Sequence, residues 1–145
     1  MVKATLVAVL GIVLVMSAQA AAPSIPLMLV GPADIKWEPT ARPDSMRSSL
    51  WGDPTKGAFA YFNRYDGGWQ LPLHYHSNQL SGVIVSGTFM IHIAGQETKE
   101  LPSGSYFSVP GKTRHTDACL PGPSCVVYFS GDEPLDRINV EETRN

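Results

Sequence analysis

The feature that most constrains this chain is a rhythm that begins near residue 58. Short runs rich in β-branched and aromatic residues fall at 58–65, 69–76, 82–85, 88–93, 98–101, 106–109, 115–119 and 125–130. Between them stand Asp66-Gly67-Gly68, Ser86-Gly87, Ala94-Gly95-Gln96, Pro102-Ser103-Gly104, Pro110-Gly111-Lys112 and Leu120-Pro121-Gly122-Pro123-Ser124. Each of these separators carries the glycine that tight turns between strands use. Eight short strands at this spacing, without a helical period, predict an all-β fold, an antiparallel sandwich or barrel.

Composition narrows the reading further. A chain of 145 residues suits one hydrophobic core, and no internal repeat suggests a second. A hydrophobic share of 43% excludes wholesale disorder. The net charge of −2 with no long basic run argues against nucleic acid as a partner.

The N-terminus is a different kind of chain. Lys3 is followed by an apolar run over 4–16 and then by Ala18-Gln19-Ala20, the small-x-small pattern of a signal-peptidase site. Residues 1–20 are therefore expected to be a cleaved signal peptide. No later stretch is apolar enough to span a membrane, so a soluble periplasmic or secreted protein is expected. Residues 21–49 read as a proline-spaced N-terminal arm with an edge strand at 27–30. Leu50-Trp51-Gly52-Asp53-Pro54 reads as a loop closing on the fold. Residues 50–131 form the domain, and 132–145 a polar tail with one short helix or none.

Three of the four histidines have informative neighbours. His74 and His76 lie two apart in a predicted strand, where residues i and i+2 share a face, so both rings can reach one metal ion. His115 opens a later strand. Three neutral imidazoles suit zinc, iron, copper or nickel.

At these residues the chain resembles the cupins, small β-barrels defined by two motifs. The first reads Gly-x5-His-x-His-x3-Glu-x6-Gly, matched in spacing by Gly68, His74, His76, Leu80 and Gly87. The second reads Gly-x5-Pro-x-Gly-x2-His-x3-Asn, matched by Gly104, Pro110, Lys112, His115 and Cys119. Every spacing holds, but Leu80, Lys112 and Cys119 replace the motif glutamate, glycine and asparagine. The block from Leu50 to Gly87 also resembles a branch of exported bacterial cupins with no assigned reaction.

The resemblance implies an antiparallel cupin barrel (a double-stranded β-helix or jelly roll) with His74, His76 and His115 as ligands of a divalent transition metal. Iron(II) or zinc is expected first, then manganese, nickel or copper. With Leu80 in the glutamate's place the protein ligands are neutral, which favours an anionic chelating substrate. The activity implied is that of an iron-dependent dioxygenase on a small molecule. The alternatives are a zinc-dependent hydrolase or isomerase, and a binding module without turnover. Cupin barrels also commonly pair, so a homodimer is a further expectation.

Other residues complete the expectations. Gln79 is the nearest oxygen donor to the histidine strand, although its neighbours' parity turns it away. Asp117 shares parity with His115, as an acceptor orienting that ring or as a base. Tyr61, Phe89, Phe107 and Tyr128 are the aromatic candidates for a substrate pocket, with core packing as the alternative. Trp51 and Trp69 are candidates to close one barrel end, and Arg64, Lys112 and Arg114 to steer an anion. Tyr75 and His92 read as structural. Cys119 and Cys125 enclose a five-residue hairpin loop, where opposed positions would bring them within reach of a cross-strand bond; export favours a disulfide between them, and the alternative is a free Cys119 thiol near His115.

Overall fold

The structure is a computed structural model and describes residues 27–140. The expected signal peptide lies outside the described residues, as do the last five residues of the tail. The described strands, in chain order, are β1 (Glu38–Pro39), β2 (Ser45–Gly52), β3 (Phe59–Tyr65), β4 (Gln70–Tyr75), β5 (Leu80–Ser86), β6 (Thr88–Ile93), β7 (Lys99–Pro102), β8 (Tyr106–Val109), β9 (His115–Cys119), β10 (Cys125–Gly131) and β11 (Ile138–Asn139). They form two sheets with antiparallel pairing, ordered β1-β2-β3-β10-β5-β8 and β11-β4-β9-β6-β7.

The two sheets pack face to face because alternate residues of each strand are apolar. Ile84 of β5, Phe89 of β6, and Cys125 and Val127 of β10 are almost fully buried between them. An aromatic layer joins the sheets. Tyr65 stacks on Trp69 at 4.0 Å between ring centroids and on Phe89 at 5.6 Å. On the other side Phe59, Tyr61, Phe129 and Phe107 form a chain of ring contacts of 5.3–5.7 Å. Within the first sheet only glycine fits on β5 at one point: a Cβ on Gly82 would collide with the Phe107 ring of β8 and the Tyr128 carbonyl of β10.

Several sequence expectations change. Residues 27–30 form no strand and are exposed. The segment read as a polar arm and a closing loop contains β2, paired with β3 from Ser45↔Tyr65 to Gly52↔Phe59. The sheet therefore starts before residue 50. The tail holds a short strand rather than a helix: Ile138 and Asn139 pair with Tyr75 and His74. Cys119 and Cys125 are bonded (Cα–Cα 5.7 Å), but not across a hairpin; β9 and β10 belong to different sheets, so the bond ties the two layers together.

Candidate metal centre

His74 lies one residue before the end of β4 and His115 starts β9, and the two are register partners in neighbouring strands. His76 follows two residues beyond His74, just past the strand end. The period-two geometry and the register together turn three rings into one space, with centroids 4.3, 5.0 and 5.4 Å apart. One nitrogen from each lies within 4.8 Å of the others, and all three residues are buried.

Their hydrogen bonds fix which nitrogen faces inward. His74 Nδ1 donates to the Pro72 carbonyl (2.9 Å), His115 Nδ1 to the Thr113 carbonyl (2.8 Å), and His76 Nδ1 to the Asp136 carbonyl. A carbonyl only accepts, so in each neutral ring Nδ1 carries the proton and Nε2 keeps its lone pair. Burial holds all three rings below the usual histidine pKa; for His74, with His115 adding to the effect, the value falls to about 4. His74 Nε2 is buried with no hydrogen-bond partner among the described residues. An orphaned buried acceptor is costly unless something fills the space. Three unprotonated nitrogens with carbonyl-anchored rings are the donor set a divalent ion takes.

The centre is held from two sides. The turn before β9 lies against the His76 loop, where Lys112 N–H donates to the His76 carbonyl (2.7 Å) and Gly111 sits so close to the Ser77 carbonyl that no side chain fits. Lys112, in the motif glycine's place, adopts φ 65°. From the other side Asp136 accepts from Ser77 N–H (2.7 Å) and Oγ (2.6 Å).

His74 and His76 open into a cavity of about 790 Å³. Its wall includes Arg47, Tyr61, Asn63, Trp69 and Asp117. Asp117 Oδ2 lies 3.7 Å from His74 Nε2 and 3.9 Å from His115 Nε2, on a side chain 14% exposed, and burial pushes its pKa up to about 7. Arg47 donates from Nε to Asn63 Oδ1 (3.1 Å), and its guanidinium lies 4.0 Å over the Tyr61 ring.

The remaining candidates separate. Tyr61 and Trp69 line the cavity, whereas Phe89 and Phe107 are core and lie outside its lining. Tyr128 points outward and packs edge-on against Phe62 at 5.7 Å; the inward residue is Phe129, one place along the strand. Gln79 is exposed, bonds Ser81 and lines a separate cavity, away from the three histidines. Arg64 lies over Trp37, and Lys112 and Arg114 are exposed and outside the cavity lining. His92 pairs with the Thr98 hydroxyl (3.0 Å), away from the centre. Sequence reasoning missed Arg47, Asn63 and Asp136. The alternation Ser45, Arg47, Ser49 was the available signal, since all three line the cavity.

Two antiparallel sheets around a three-histidine cluster at a cavity are the architecture of a cupin. The chain belongs to the ChrR cupin-like domain family, whose family model matches residues 26–134. A search of curated proteins finds no match. Solved structures share the fold. The polyketide cyclase RemF from Streptomyces resistomycificus has a TM-score of 0.67 at 17% identity, over 81% of this chain and 88% of that one. An RmlC-like cupin from Ralstonia eutropha has a TM-score of 0.65 at 21% identity, over 83% and 76%. KdgF from Halomonas sp. has a TM-score of 0.58 at 24% identity, over 71% and 91%.

Proposed function

We propose that this protein is an exported cupin metalloenzyme in which His74, His76 and His115 hold a divalent ion that receives a small anionic, chelating substrate. The observation that carries the reading is the set of three carbonyl-anchored imidazoles with Nε2 lone pairs free. A bound divalent ion supplies Lewis acidity, and iron adds redox chemistry with dioxygen. Among metals we put iron(II) first, with oxygenase chemistry, and zinc with hydrolysis or isomerisation second.

The chain's own groups suit that substrate class. Arg47 presents a cation to the cavity from a fixed position, since Asn63 and Tyr61 hold its guanidinium. Trp69, Leu71 and Phe129 give the cavity apolar wall that excludes water around a small organic anion. The enzymatic character of the polyketide cyclase RemF, which shares the fold, supports turnover over capture alone. Export rests on the apolar run over 4–16 and the Ala18-Gln19-Ala20 site.

The test is elemental mass spectrometry of protein recovered from the export compartment, with its mature N-terminus determined, beside His76→Ala and His115→Ala variants. Near-stoichiometric iron lost in both variants, with oxygen uptake on small chelating acids or diketones, is the expected result. Zinc in that pattern moves the reaction to hydrolysis or isomerisation. No metal, with failed reconstitution and both variants folded, overturns the proposal and leaves a ligand-binding barrel.

A further inference from the structure

We propose that Asp117 is the fourth protein ligand of this centre, supplying from β9 the carboxylate that Leu80 does not. The inference rests on the metal-centre reading above. Asp117 follows His115 by two residues on β9, so both side chains enter the same space. Its Oδ2 stands 3.7 Å from His74 Nε2 and 3.9 Å from His115 Nε2. Two ligand atoms each about 2.1 Å from one ion lie roughly 3.0 Å apart at a right angle and roughly 3.6 Å apart at 120°. These two separations exceed that range by only a few tenths of an ångström. Among the described residues, the ligand atoms that all lie within 4.8 Å of one another are those of the three histidines alone, so a rotation of the Asp117 side chain must also carry its carboxylate toward His76.

The donor inventory makes the same point. The carbonyl acceptors at Nδ1 leave both facing Nε2 atoms as lone pairs, and an ionised Asp117 offers only lone pairs in return. No hydrogen bond to the Asp117 carboxylate occurs among the described residues, and both separations are too long for one. With Asp117 ionised, three acceptors face one another in this wall and repel unless a cation lies between them. A divalent ion satisfies all three. The centre then carries one unit less positive charge than three neutral imidazoles give, and keeps open positions for substrate.

Cobalt(II) titration of the metal-free full chain tests this, read by calorimetry and by the visible ligand-field bands. Wild-type protein is compared with Asp117→Asn, Asp117→Ala and His76→Ala, each checked for folding by near-ultraviolet circular dichroism. Infrared difference spectra of wild-type protein carrying carboxyl-labelled aspartate give a readout that needs no folded variant. We expect Asp117→Asn to weaken cobalt binding at least about tenfold and to shift the bands, and a labelled carboxylate stretch to move on cobalt binding. Unchanged bands and no moving stretch overturn the assignment even if affinity falls, since Asp117 then acts only through the histidines. If cobalt binds wild type and Asp117→Asn alike but not His76→Ala, Asp117 alone is excluded. If wild type binds no cobalt, the metal reading falls with it.

Discussion

The ring of His76 donates its Nδ1 proton to the main-chain carbonyl of Asp136, sixty residues further along the chain. The carboxylate of Asp136 meanwhile holds the adjoining Ser77 backbone and hydroxyl. The C-terminal segment is thus part of the centre, and β11 pins it by pairing with β4 beside His74.

Asp136→Ala leaves the carbonyl acceptor in the chain but frees the segment that presents it. Metal affinity should fall about tenfold with little change in secondary structure. Calorimetric titration with zinc checks this; an unchanged affinity would show that β11 alone suffices to hold the carbonyl.

Arg47 should govern substrate rather than metal. Arg47→Ala is expected to raise KM for an anionic substrate at least about tenfold, with metal content unchanged. Arg47→Lys should recover only part of this, because lysine cannot keep both the Asn63 bond and the flat contact over Tyr61. Steady-state kinetics beside metal analysis separates the two effects.

Lys112 sits at φ 65°, where a β-carbon crowds the backbone. Lys112→Gly should raise stability by about 0.5–1 kcal/mol, the gain being reduced by glycine's freedom in the unfolded chain. Gly111→Ala should do the reverse and also weaken metal binding, because its new methyl meets the carbonyl of Ser77 beside His76. Urea unfolding of both variants measures the difference.

Acid should act on the metal-free protein through two opposed titrations. The histidines have lowered pKa values in the fold, so the unfolded chain binds protons first as pH drops below 6.5, and stability falls until the folded rings titrate, near pH 4 for His74. Asp117, raised from 3.8 to about 7, binds its proton first in the folded state and adds stability over that range. Removing it exposes the histidine effect: Asp117→Asn should lose about 2 kcal/mol or more between pH 7.5 and pH 5. Wild type should lose less. Urea midpoints at the two pH values decide it.

The Cys119–Cys125 bond closes a short loop, so its effect on the unfolded chain is modest. Replacing both cysteines with serine should cost about 2 kcal/mol and lower Tm by roughly 5–10 °C. Thiol labelling with and without reductant, followed by thermal unfolding, tests both the pairing and its worth.

What the sequence made legible was whatever depends on period two and turn chemistry. The strand runs from 58 to 130 and the convergence of His74 with His76 follow from alternation alone, and the motif spacing adds His115. Illegible were the elements whose inward face is polar. β2 reads as an arm because Ser45, Arg47 and Ser49 face a wet cavity rather than the core. Tyr128 and Phe129 are equally aromatic, and only the register with β3 and β5 decides which one turns inward. Asp136 was hidden because its bond to His76 is made by a backbone carbonyl, which no side-chain pattern reports, and its carboxylate meets Ser77 only across a separation of 59 residues.

The position of β11 also orders events in time. All three histidines are synthesised before Asp136, yet the acceptor that orients the His76 ring arrives only sixty residues after that ring. A nascent or truncated product therefore carries the imidazoles without the clasp that aims them. On the metal-centre reading proposed above, tight capture of an ion waits until residue 136 has joined the fold.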